Sequence, residues 1–292
     1  MLSSSREGFV WVENTFELQQ RWDNEPIIDD IKAVCQATLQ LDDPAQCAVS
    51  FLTSGGFNKI YVVEVESDQK FVMRVSLLVE TRHKTAGEVA TLKWLSQHST
   101  RPVPRVIAFD DTRDSKIGFE WILMEHVAST SARTRWRKMT MEDKKALVED
   151  LARHHAQLLD TSSFQTIGTL KETNSDFIPD TLVSMMFFWG DHFGFDVHRG
   201  PFRSSHSWLY SLISIMIKAK VLEMDKAVRE GDEDVADEVT YSLRIAKELS
   251  LLLPEMFPPD EDAHGKKVLW HDDLSLSNIM VDGNNSPNSI ID

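Results

Sequence analysis

The segment His271-Asp-Asp-Leu-Ser-Leu-Ser-Asn278 gathers residue types suited to chemistry. Phosphoryl transfer needs a carboxylate beside the acceptor hydroxyl and oxygen ligands for Mg²⁺ on the phosphates. Mg²⁺ favours hard oxygen donors, which an Asn carbonyl and an Asp carboxylate supply. Asp273 and Asn278 offer both from a single loop. A second carboxylate is expected at the end of the following strand. Asp292 closes the apolar Ile290-Ile291 pair after an Asn/Gly/Pro turn and takes that place.

Those side chains need elements to hold them. β-Branched residues predict strands over 59–65 and 71–77, with Ser67 to Lys70 as a turn. In the second strand Phe71, Met73 and Val75 share one face, and Val72, Arg74 and Ser76 the other. A helix is expected over 85–98, then strands over 105–109 and 119–127. Composition shifts after Val127 to a mainly helical pattern. Thr140 can cap a helix running to about residue 160. Further helices are expected over 207–217 and 239–253, and Pro254, Pro258 and Pro259 mark a loop. Short strands are expected over 267–270, 279–281 and 290–292. One helix, about 29–41, is visible in the first 50 residues. The expected fold class is α+β. Residues 1–50 form a helical extension, 51–128 a strand-rich unit and 129–292 a helical unit, with an active site in the crevice between the last two.

The sequence resembles the aminoglycoside phosphotransferase-like family, the small-molecule branch of the protein-kinase-like fold, of which choline kinases are relatives. Members carry a His-Gly-Asp loop, then Asn, then Ile-Ile-Asp-Trp. Here stand His271-Asp272-Asp273, Asn278 and Ile290-Ile291-Asp292. Gly55-Gly-Phe-Asn58, Glu88-Val-Ala-Thr-Leu92, Pro102-Val-Pro104, Met124-Glu125 and Gly200-Pro-Phe202 are similar to segments of the large fungal set. The resemblance runs from about residue 51 to 292 in the family order.

The resemblance implies a two-lobed fold, a strand-rich N-lobe for nucleotide and a helical C-lobe. It implies ATP and Mg²⁺ as cofactors and a small-molecule hydroxyl as acceptor. By that resemblance Asp273 orients or deprotonates the hydroxyl, and His271 supports the loop. Asn278 and Asp292 bind Mg²⁺. Ser54, Gly55 and Gly56 form the turn over the phosphates, where small residues let the backbone approach. Arg74 contacts the α- and β-phosphates, and Glu88 pairs with it. Backbone groups of Glu125 and Val127 receive adenine. Three features depart from the pattern. Asp272 replaces the usual Gly, Arg74 stands where Lys is common, and the sequence stops at Asp292, where the family continues into further helices. The C-lobe is therefore expected to be incomplete. The alternative expectation is a truncated, inactive kinase-like protein that at most binds nucleotide.

Plainer readings compete at single positions. Gly55-Gly56 alone is a turn. Thr85-x-x-Glu88 reads as a capping box, yet Glu88, Leu92 and Leu95 share one helical face, where a charge needs a partner. His154-His155 has no matching acidic ligand spacing, so helix histidines fit better than a metal site. Trp189, Asp191, His192 and His198 could line a pocket or serve the core. Eight acids between Glu223 and Glu238 would suit a cationic acceptor, though a solvated face is the simpler account.

Charge and composition exclude whole classes. Lys plus Arg number 31 against 46 Asp plus Glu, a net charge of −15. That opposes general nucleic-acid binding and electrostatic attachment to an anionic membrane. Cys35 and Cys47, the two cysteines, form neither a disulfide framework nor a metal spacing. No apolar run approaches the ~18 residues of a membrane span. The N-terminus lacks a signal-peptide apolar core. The expectation is a cytoplasmic protein.

Overall fold

The computed structural model describes residues 8–13, 18–66, 68–100, 102–174, 176–259 and 265–291. The chain begins with two strands, β1 (Phe9–Glu13) and β2 (Leu18–Trp22), paired antiparallel. Helix α1 (Ile28–Leu39) follows. Then come β3 (Cys47–Ser54), β4 (Asn58–Val65), β5 (Lys70–Ser76), α2 (His83–His98), β6 (Val106–Asp110) and β7 (Glu120–Glu125). These strands form one antiparallel sheet in the order β3-β4-β5-β7-β6. β5 lies at the middle of this order, and β7 beside it is also interior, with Trp121-Ile-Leu-Met124 buried on both faces. β6, half-buried along most of its length, takes one edge. Under one face lies a core of Phe9, Trp11, Ile31, Cys35, Tyr61, Val63, Met73, Val75 and Leu123.

The second part opens with β8 (Thr130–Ser131), α3 (Ala132–Arg135) and α4 (Met141–Thr161). β9 (Leu170–Glu172) and β10 (Phe177–Pro179) make a small hairpin, followed by α5 (Met185–Phe188). The long helices α6 (Ser205–Glu230) and α7 (Glu233–Met256) pack side by side. β11 (Ile279–Val281) and β12 (Pro287–Ile290) close the chain and join β8 in a three-stranded sheet, β12-β11-β8. The architecture is α+β, as expected.

Several expectations need correction. The first 50 residues are more than a helical extension, because residues 9–22 hold a hairpin and the main sheet begins at Cys47. Phe9 and Trp11 point to one side of β1 and are fully buried, which drives the hairpin onto the sheet. Residues 267–270 form no strand: Lys267 makes a single bridge to Phe164. α6 and α7 run well past 207–217 and 239–253, and Pro254 sits inside α7 rather than in a loop. Pro254 gives up the helical bond to the Ser250 carbonyl, and α7 ends two residues later at Met256. The final strand runs 287–290, and Asp292 lies outside the described residues.

α2 joins the two parts. Ala90 and Trp94 pack against Leu158 and Leu170, and Lys93 pairs with Glu172 at 2.5 Å. Gly87 makes this close approach possible. A Cβ there would lie 2.3 Å from Thr169 Cγ2. Ser289 in β12 adds a second tie, its hydroxyl donating to the Pro102 carbonyl at 2.9 Å.

Candidate active site

The loop before β11 is fixed by its apolar residues. Leu274 and Leu276 pack against a core of Ala132, Met139, Leu147, Ile279 and Val281. The Leu276 carbonyl accepts from Arg133 N–H at 2.9 Å and from the Ser131 hydroxyl at 3.2 Å. With the leucines turned inward, Asp272 and Asp273 are left exposed. Asn278 then closes the loop on itself. Its Nδ2 donates to the Asp273 carbonyl at 2.9 Å and to Asp273 Oδ2 at 3.1 Å. Only the amide nitrogen can face two oxygens without repulsion. This leaves Asn278 Oδ1 pointing elsewhere and one Asp273 oxygen, Oδ1, outside the pair. The Asn278 carbonyl accepts from Ile291 N–H at 2.9 Å, tying the loop to the segment that precedes Asp292.

Asn278 Oδ1, left outside the Asp273 pair, is a hard oxygen donor of the kind Mg²⁺ takes. Among the described residues no group of three His, Cys, Asp or Glu could hold a metal. An Asn-plus-Asp set is not of that kind, and its second member, Asp292, lies outside them. His154 and His155 serve packing, as the simpler reading had it. His154 is buried near the Ser99 hydroxyl, and His155 stacks loosely on Trp270. His271 stands half-buried at the head of the loop.

A second group lies on the sheet. Arg74 in β5 faces α2, and its Nη2 donates to Glu88 Oε1 at 3.3 Å. The expected pair is therefore present. It has a third member. Lys84, one turn before Glu88, reaches the same Oε1 at 2.7 Å. Its ammonium also donates to Asn58 Oδ1 at 2.9 Å and approaches Ser76 Oγ at 3.4 Å. Lys84 is almost fully buried, so its charge is viable only with such partners. The i,i+4 spacing of Lys84 and Glu88 was the signal that could have revealed it. Asn58, the last residue of the Gly-Gly-Phe-Asn segment, links this group to the glycine turn.

The capping-box reading of Thr85 and Glu88 fails. α2 starts at His83, with Arg82 as its N-cap. The Arg82 N–H is satisfied by buried Glu120 Oε1 at 2.6 Å. Burial pushes the Glu120 carboxyl up, and the Arg82 N–H pulls against it.

Ser54 ends β3, and Gly55, Gly56 and Phe57 form the turn to β4, where Gly55 N–H donates to the Asn58 carbonyl at 2.9 Å. Among the described residues, a Cβ built at Gly55 would meet nothing within 4 Å. Glu125 ends β7 and Val127 follows it. Glu125 N–H donates to the Arg105 carbonyl, and His126 N–H donates to Lys70 O on the opposite side. By strand alternation the Glu125 carbonyl and the Val127 N–H share the edge facing away from β5. An acceptor and a donor two residues apart on one edge suit a purine. Trp189 packs on Trp11 and Phe57, His192 Nδ1 lies 2.9 Å from the Met186 carbonyl, and His198 sits edge-on to Phe202. These are core and loop roles.

The sequence model of the APH family, the phosphotransferase enzyme family, matches residues 48–292. The chain belongs to that family. It is 25% identical over 290 residues to a subtelomeric hrmA-associated cluster protein of Aspergillus fumigatus, covering 84% of this chain and 56% of the relative. It is 24% identical over 129 residues to altered inheritance of mitochondria protein 9 of Meyerozyma guilliermondii, covering 42% of this chain and 21% of that protein. The chain thus spans about half, or less, of the length of these relatives. In fold it is similar to a thermostable variant of the aminoglycoside phosphotransferase APH(4)-Ia in ternary complex with ADP and hygromycin B. The TM-score is 0.50 at 14% identity, over 90% of this chain and 70% of that one. The fold is kinase-like. No helix among the described residues is long and apolar enough to cross a membrane.

Proposed function

We propose that this phosphotransferase-family chain transfers the γ-phosphoryl group of ATP, with Mg²⁺, to a hydroxyl of a small molecule. The carrying observation is the Asp273–Asn278 pair. One residue type suited to positioning a nucleophile and one suited to holding a metal are locked together in a loop fixed by Leu274 and Leu276. In the reaction the acceptor oxygen bonds to the γ-phosphorus as the bond to the β,γ-bridging oxygen breaks, and ADP leaves. Asp273 Oδ1 receives the hydroxyl and its proton, while Oδ2 stays on Asn278. Asn278 Oδ1 and Asp292 would hold the Mg²⁺, which supplies charge neutralisation on the phosphates.

Residues 51–128 serve as the nucleotide lobe and 129–292 carry the catalytic loop. Arg74, held by Glu88, faces the α- and β-phosphates, and the Glu125 carbonyl and Val127 N–H receive adenine. The net charge of −15 supports a neutral or cationic small acceptor over nucleic acid. The structural neighbour's aminoglycoside points the same way. The test is ADP release by the purified chain with MgATP across a panel of aminoglycosides and amino alcohols. Acceptor-dependent release is expected for at least one member. A panel-wide absence of stimulation, with MgATP bound, would contradict the reading.

A further inference from the structure

The β1–β2 hairpin precedes the region matched by the family, which begins at residue 48. It nevertheless touches the glycine turn. Gln20 Nε2 donates to the Gly56 carbonyl at 2.7 Å. Among the described residues, a Cβ at Gly56 would meet that same nitrogen at 2.9 Å and nothing else within 4 Å. The space beside Gly56 is therefore taken by Gln20, whereas no described residue fills the space beside Gly55. Just beyond the turn, Glu25 pairs with Lys59, whose ammonium sits 4.9 Å from the Trp22 ring centroid.

The same hairpin also reaches the helical part. Trp11 packs on Trp189 with ring centroids 4.7 Å apart. Leu18 lies so close to Gly190 that a Cβ there would be 2.8 Å from Leu18 Cδ2. Glu13 approaches Lys226 of α6 at 3.9 Å. Phe9 and Trp11 are buried and anchor the hairpin between these contacts.

We infer that the hairpin is a strap from the helical part to the glycine turn, and that Gln20 is a positioning residue that sets the turn for nucleotide. The inference rests on the nucleotide reading above. A Gly-Gly turn carries more backbone freedom than any other pair, and binding must remove it. Holding the Gly56 carbonyl in advance lowers that ordering cost.

The test uses the full chain and Gln20→Ala. Amide hydrogen exchange is read without ligand, and MgATP affinity by calorimetry. Faster exchange confined to Gly55–Asn58 is expected. The Kd should rise about two- to tenfold, the range of one net hydrogen bond, with kcat on any accepted substrate unchanged. Gly56→Ala should weaken binding in the wild-type background and much less beside Gln20→Ala, because the alanine then has room. Unchanged exchange at the turn would overturn the strap. A rise spread over β4 and β5 would make Gln20 a general stability residue and overturn its positioning role, as would faster turn exchange with an unaltered Kd. Failure of the wild-type chain to bind MgATP would sink the nucleotide reading, while the exchange measurement still decides whether Gln20 holds the turn.

Discussion

Glu88 carries two cations on one oxygen, Arg74 at 3.3 Å and Lys84 at 2.7 Å. The closer and more buried partner is Lys84, so it fixes the carboxylate, and Arg74 is held at longer range. Lys84→Met should therefore cost about 1–3 kcal/mol of stability, since charged hydrogen bonds to Glu88 and Asn58 are lost together. Chemical denaturation measures this, and a change under 0.5 kcal/mol (about the effect of an ordinary surface substitution) would contradict it. Glu120 gives a pH prediction. Its folded pKa is raised above the ordinary 4.5, chiefly by burial. Between those two values the folded state holds a proton that the unfolded state releases. Stability from this group therefore falls as pH rises through that interval. Glu120→Gln keeps an acceptor for Arg82 and removes the titration. Its stability relative to wild type should grow as pH rises from about 4.5 toward neutrality, and thermal unfolding over that range checks it. The Arg74–Glu88 contact was expected from residue type and order. Lys84 was missed although its i,i+4 spacing to Glu88 was legible, because its burial and its contact with Asn58 come from folding, and Glu120 was missed because it meets Arg82 from a different element.

At the scale of elements, local signals worked where they were self-sufficient. Thr140 caps α4 in a full capping box with Asp143, as its position implies. Thr140→Ala should cost about 1 kcal/mol, read as a shift in the denaturation midpoint with the slope unchanged. α2 shows the opposite case. Its start is set by Glu120, so Thr85 lies inside the first turn and the local capping motif misleads. Gly87 sets how near α2 lies to the second part. Gly87→Val should force Thr169 away, cost about 1–3 kcal/mol by overpacking, and weaken MgATP binding by moving Glu88. Unaltered affinity and stability together would contradict that role. The β1–β2 hairpin went unread because Gln19-Gln20-Arg21 interrupts any apolar alternation in its second strand. Phe9-Val-Trp-Val, with Phe9 and Trp11 inward, was the available clue.

For the whole molecule, the division into a strand-rich and a helical part was visible as a shift in composition near residue 128. The strand order was not, because the place of β7 between β5 and β6 rests on pairings that form only on folding. The paired cysteine positions illustrate what packing adds. Cys35 and Cys47 are free and buried, and burial pushes the Cys35 thiol up to about 12. The folded protein should resist alkylation of Cys35 at pH 8, with both thiols reacting after unfolding, as mass spectrometry of the labelled chain would show.

The central claim is that the Asp273–Asn278 loop performs phosphoryl transfer. The most direct measurement compares wild type and Asp273→Asn for MgATP affinity and for acceptor-dependent ADP release. Affinity should stay within about twofold, because the proposed role of Asp273 is on the acceptor and an Asn side chain keeps an oxygen to accept from Asn278 Nδ2. Release should fall about 10²- to 10⁴-fold, the usual range for loss of a positioned base. Release at the wild-type rate in Asp273→Asn would contradict the account.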